Sequence, residues 1–135
     1  MYEGSCMCGG VKFELTEEPL GTMLCHCTSC HKNAGANGST NLVVSSKNFH
    51  HTGDTREWSR DGVSGQRVHY YSCAVCPTII FVRPEVMGDN LILKTGLLES
   101  KADAEKFPPK VEIFVKDRIA PWCERGDGVV LKDIN

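Results

Sequence analysis

The chain has 135 residues, 41% of them hydrophobic, with 15 basic against 17 acidic side chains and a formal net charge of −2. That length supports one domain with one modest core, the balance excludes a disordered or fibrous chain, and the slightly acidic charge offers nucleic acid no footprint. No apolar run approaches the roughly 18 residues of a membrane span, and no basic segment followed by an apolar stretch reads as a secretory signal, so a cytoplasmic protein away from membranes is expected.

Short alternating runs broken by Gly, Pro, Asn and Asp predict a mainly β protein. Residues 10–15 set Val11, Phe13 and Leu15 against Lys12 and Glu14, the signature of a half-buried strand. Residues 28–34 read as a short helix ended by Gly35, and residues 41–44 as a short apolar strand. Two further strands are predicted over 68–72 and 78–82, the second stopped by Pro84. The runs 90–95 and 110–116 alternate cleanly, the latter with Val111, Ile113 and Val115 on one face. A second short helix over 101–107 ends at Pro108-Pro109, and Val129-Val130-Leu131 in the tail suits an edge strand. No repeat or linker interrupts the chain, so residues 1–135 read as a single domain.

Eight cysteines are the unusual feature. Cys6 and Cys8 form a CxC, Cys25, Cys27 and Cys30 a CxCxxC, Cys73 and Cys76 a CxxC, and Cys123 stands alone. In a reducing compartment stable disulfides are rare, and spacing this close rarely meets disulfide geometry. A tetrahedral zinc ion suits it better, because with Zn–S near 2.3 Å two thiolates sit roughly 3.8 Å apart without bonding to each other. Cys6, Cys8, Cys73 and Cys76 together make a complete four-sulfur set, a closed structural site that clamps the start of the chain to its middle. Cys25, Cys27 and Cys30 supply only three sulfurs, the catalytic pattern with one position open, unless His26, His31 or Cys123 closes it. On extended backbone His26 points away from a metal held by its neighbours. Gly9-Gly10 fits a tight turn behind Cys8.

With these sets placed, the order of motifs is informative. Gly4-Ser5-Cys6-Met7-Cys8-Gly9-Gly10-Val11 opens the chain, then Cys25-His26-Cys27-Thr28-Ser29-Cys30-His31-Lys32 with Ala34-Gly35 behind it. Tyr71-Ser72-Cys73-Ala74-Val75-Cys76-Pro77-Thr78, Thr95-Gly96-Leu97-Leu98 and Val111-Glu112-Ile113-Phe114-Val115 follow, up to Pro121-Trp122. From about residue 4 to 122 the chain resembles the glutathione-dependent formaldehyde-activating enzyme family, which shares its domain with centromere protein V. The resemblance implies a mainly β, Mss4-like (β-tent) fold with two zinc ions per chain. Cys6, Cys8, Cys73 and Cys76 match the structural ligands, and Cys25, Cys27 and Cys30 the catalytic ones. It also implies a carbon–sulfur lyase activity, condensing formaldehyde with glutathione to S-(hydroxymethyl)glutathione. Three positions depart from the family's usual pattern: Pro77 stands for Gly, His31 for Arg and Glu112 for His. Pro77 requires a locally different turn, and the other two remove cations that an anionic thiol peptide favours.

An open zinc position would bind a thiol as thiolate or polarise a carbonyl oxygen, and thus act on a small carbonyl or thiol adduct. A proton carrier is needed, with His26, His31, His50, His51 and His69 as candidates. His31 is favoured because it adjoins Cys30 and titrates near neutrality. Trp122 is placed to wall a substrate pocket or to pack in the core, and Cys123 reads as a bystander thiol. The competing class is a non-catalytic binding module in which both metals are structural.

Overall fold

The computed structural model describes residues 1–119 and 128–132. Its strands are β1 (Tyr2–Ser5), β2 (Lys12–Leu15), β3 (Gly21–Cys25), β4 (Ser39–Ser45), β5 (Phe49–Thr52), β6 (Thr55–Asp61), β7 (Arg67–Cys73), β8 (Ile79–Pro84), β9 (Asn90–Lys94), β10 (Val111–Ile113) and β11 (Val130–Leu131). Two short helices, α1 (Thr28–Ala34) and α2 (Lys101–Glu105), complete the framework. The strands form a small sheet in the order β1-β2-β5 and a large one in the order β11-β10-β3-β4-β9-β8-β7-β6. Pairing is antiparallel except where β10 joins β3 and β11.

The period-two pattern sends one side of each strand into a shared core. From the small sheet and its approach come Val11, Phe13, Leu15 and Phe49; from the large one come Leu42, Val44, Leu91 and Leu93. Phe49 meets Phe81 edge-on across this core at 5.0 Å between ring centroids. Each such side chain removed from water contributes roughly 1.5–3 kcal/mol. Intervening residues, Asn41 and Val43 on β4 and Ile92 and Lys94 on β9, face the other side of the large sheet and line a cleft there.

The helix predicted over 28–34 is present with those bounds; Gly35 follows at φ 102, a conformation that suits only glycine. The second helix is two residues shorter than predicted, stopping at Glu105 after Ser100 caps the Asp103 N–H. The strand predicted over 110–116 needs a larger correction. It ends at Ile113, because Phe114 takes the left-handed conformation (φ 54, ψ 43) and Val115–Asp117 turn as a 3-10 helix. Val115 therefore leaves the face that Val111 and Ile113 share. Pro84 does not stop β8 early but closes it as its last residue, opposite Val68. The tail strand is real at Val130–Leu131, on the free edge of β10. Among the described residues no helix is long and apolar enough to cross a membrane.

Candidate metal centres and the adjoining cleft

Cys6 ends the loop entry after β1, Cys8 follows in a turn closed by the Gly9 N–H donating to the Cys6 carbonyl, and Cys73 ends β7. Gly9 has φ 73, as the predicted tight turn requires. The fold brings these three sulfurs together with that of Cys76, all within 4.8 Å of one another. Cys6 and Cys8 Sγ are 3.5 Å apart, and Cys8 and Cys73 Sγ 3.8 Å. Those separations exclude a disulfide and fall near the edge of a tetrahedron of sulfurs around a zinc-sized ion. Backbone N–H groups already point at the sulfurs: Val11 at Cys6 (3.3 Å), and Val75 and Cys76 at Cys73 (3.4 and 3.5 Å). The donors at Cys73 thus precede Pro77, so the N–H that proline lacks is not one this turn uses.

Cys25 is the last residue of β3, Cys27 is the N-cap of α1, and Cys30 lies in its first turn. Their sulfurs also lie within 4.8 Å of one another, and the Cys30 N–H donates to Cys27 Sγ at 3.3 Å. Thiols this close cannot all ionise unaided. Hydrogen bonding from Cys25 and Cys30, with help from the Cys30 N–H and Arg60, holds the Cys27 thiol far down. Contact with those same neighbours, and burial, push Cys25 far up. In the four-sulfur set the Thr78 hydroxyl and N–H draw Cys76 down to about 6. Cys8 sits at about 11, because the Gly10 N–H that lowers it is outweighed by Cys6 and burial. The Val11 N–H draws Cys6 down as well. Easy thiolates beside reluctant ones make a donor set that a central cation completes, and both sets fit a thiophilic metal ion.

The two sets differ in surroundings. Cys25, Cys27 and Cys30 line the cleft of about 930 Å³ on the large sheet, whereas none of the four other cysteines does. Three polar groups from separate strands line it with them. Lys94 Nζ donates to Ser39 Oγ at 2.5 Å and to Asn33 Oδ1 at 3.2 Å. Ser39 pairs with Cys25 across β3 and β4, and Asn33 stands three residues after Cys30 on α1, so these anchors place the ammonium beside the sulfurs. Burial lowers the Lys94 pKa while the three cysteines raise it. Arg60 Nε donates to the Tyr70 hydroxyl at 3.0 Å, and burial raises the Tyr70 pKa. Neither Lys94 nor the Arg60–Tyr70 pair sits in a motif, and sequence reasoning missed them.

Histidines take no place in this lining. His26, fully buried, does not join the sulfur group, and its Nε2 meets Glu112 Oε1 at 2.9 Å. Its backbone N–H donates to the Ile113 carbonyl at 3.0 Å. Glu112 is therefore spent on His26 behind the cleft, and its carboxylate is not a repulsive charge inside it. His31 is turned toward His26, with 6.2 Å between ring centroids, and its Nε2 is buried without a partner among the described residues. His50 and His51 lie on β5 of the small sheet, and His69 is held between Glu57 and Glu85. Trp122 and Cys123 lie outside the described residues.

The whole is a mainly β scaffold that presents one closed and one cleft-facing thiol set. The family model for "Glutathione-dependent formaldehyde-activating enzyme" matches residues 1–117, and the chain belongs to that family, whose domain has the Mss4-like fold. No curated protein sequence gives a significant match. A crystal structure of a Rhodobacter sphaeroides protein is similar in fold, with a TM-score of 0.59 at 16% identity, over 78% of this chain and 97% of that one.

Proposed function

We propose that this chain is a zinc-dependent, carbon–sulfur lyase-type enzyme of the reducing cytoplasm that joins a thiol to a small aldehyde in the cleft beside Cys25, Cys27 and Cys30. The family's namesake reaction, formaldehyde with glutathione, is the prototype. The observation that carries this reading is the contrast between the sets: four sulfurs away from the cleft, three lining it. Cys6, Cys8, Cys73 and Cys76 would hold a structural zinc, and the triplet a second one. A zinc ion on three thiolates supplies a Lewis acid with a fourth position for a thiol or carbonyl oxygen.

The residues around it do the rest. The C–S bond forms as the sulfur lone pair adds to the carbonyl carbon, and the C=O π pair moves to oxygen, which takes a proton. Lys94 is built to stabilise that oxygen: two of its three N–H donors are fixed by Ser39 and Asn33, and the third has no partner among the described residues and serves the cleft. Tyr70, whose hydroxyl accepts from Arg60 Nε, brings a second proton-bearing group to the lining. In this reading the proton-handling role assigned to His31 by proximity passes to Lys94. Exchange of formaldehyde with glutathione and with 2-mercaptoethanol, followed by NMR, is expected to run above the uncatalysed rate. Lys94→Met is expected to reduce that acceleration by about 100-fold. No acceleration with either thiol on zinc-loaded protein would move the chain to the binding-module class.

A further inference from the structure

The walls of the cleft bear on what the thiol or aldehyde carries. Around the sulfurs the large sheet contributes Met23, Val43, Val68, Val82, Ile92, Val111 and Ile113, from β3, β4, β7, β8, β9 and β10. The hydrophobic surface continues to the rim, where Leu20, Val63 and Val86 line the cleft while being 64%, 71% and 61% exposed. Three large aliphatic residues held in water at the mouth of a cavity mark a place where apolar material enters.

The polar inventory points the same way. Glutathione brings two carboxylates, an ammonium group and two amides, each of which costs free energy if buried against valine and isoleucine without a partner. Inside the cleft Arg60 already donates to the Tyr70 hydroxyl and the Asp61 carbonyl and Lys94 to Ser39 and Asn33, and in the proposed reaction the remaining Lys94 N–H serves the reacting oxygen. The other charged lining residues, Lys110, Asp117 and Lys132, stand along β10, β11 and the turn after β10, and both lysines are exposed, where an ion pair contributes little.

We infer that the substrate of this cleft has an apolar body: a hydrocarbon-bearing thiol or aldehyde whose sulfur or carbonyl reaches the cysteine triplet while its chain lies along the valine, isoleucine and methionine wall. The inference rests on the thiol–aldehyde reading for its reacting group and on the wall for its body. The reaction stays balanced as above, with the thiol proton ending on the new hydroxyl and nothing oxidised or reduced.

Its test compares formaldehyde exchange with 1-butanethiol, phenylmethanethiol and glutathione, each rate divided by that thiol's own uncatalysed rate. A buried methylene is worth about fourfold, so three of them predict a preference for 1-butanethiol over glutathione of about 60-fold. Val63→Asp and Val86→Asp, at exposed positions the fold does not need, are expected to lower that preference about tenfold without changing the circular dichroism spectrum. A second readout needs no chemistry: the neutral fluorophore 1-aminoanthracene should bind and be displaced by 1-hexanol but not by S-methylglutathione. Glutathione preferred over both apolar thiols, or displacement by S-methylglutathione alone, overturns the inference and leaves the proposed reaction standing. No exchange with any thiol, alongside displacement by hexanol, removes the reaction and keeps the apolar ligand.

Discussion

Serine at Cys25 or Cys27 is expected to abolish thiol–aldehyde exchange while the protein stays folded, whereas serine at Cys6 or Cys73 is expected to unfold it. The asymmetry follows from what each set ties together. Cys6 and Cys73 are 3% and 1% exposed and belong to the core, and their sulfurs meet although one follows β1 of the small sheet and the other ends β7 of the large sheet. An ion there closes a long loop between sheets. Structural zinc in small domains is worth about 10–16 kcal/mol, comparable to the whole stability of a domain this size, roughly 5–15 kcal/mol. Cys25, Cys27 and Cys30 sit at the junction of β3 and α1, so losing their ion frees only a local turn. Circular dichroism and the NMR exchange assay on the four variants separate the outcomes. Unfolding in all four would make the triplet structural too.

The second large effect concerns the buried His26–Glu112 pair. His26 and Glu112 are 0% and 1% exposed, and their side chains bond at 2.9 Å. Removing one member takes from the other a bond made out of water, at a cost of about 3–5 kcal/mol, whereas replacing both with leucine should recover most of it. For a chain of this size that is a fall in melting temperature of about 10–20 °C for His26→Leu or Glu112→Leu alone. The pair also positions the site. His26 separates Cys25 from Cys27, and anchoring its ring to Glu112 and its N–H to Ile113 turns both sulfurs toward the cleft. Single variants should therefore also weaken metal retention by the triplet, read as zinc lost on dialysis. Melting shifts below 3 °C in the single variants would show that the pair does not hold this corner of the fold.

The cysteine sets were legible because their meaning is local: three donors within six residues and two short pairs need no knowledge of register. The helix over 28–34 was legible for the same reason, with Gly35 marking its end. Strands β1, β3, β5 and β6 were not anticipated. β6 reads Thr-Arg-Glu-Trp-Ser-Arg-Asp, and as an edge strand with both faces largely polar it lacks the alternation that betrays a buried one. The turn at Phe114 is set by tertiary packing, since nothing about a phenylalanine predicts positive φ. The cleft was invisible for a topological reason. Its wall takes a few residues from each of several strands, and Lys94, Arg60 and Tyr70 converge only once β4-β9-β8-β7-β6 are laid side by side. The departure at position 112 reads from sequence as a lost cation near substrate, but in the fold it is one half of a buried pair behind the site.

One closed and one open zinc site per chain underlie both the fold and the proposed chemistry. Zinc per chain, measured on protein purified without chelators and with a parallel thiol titration, tests this pairing most directly. Two zinc ions and a single reactive thiol, Cys123, are expected. One zinc ion with three or more reactive thiols would contradict it, leaving the triplet as a thiol cluster without its metal.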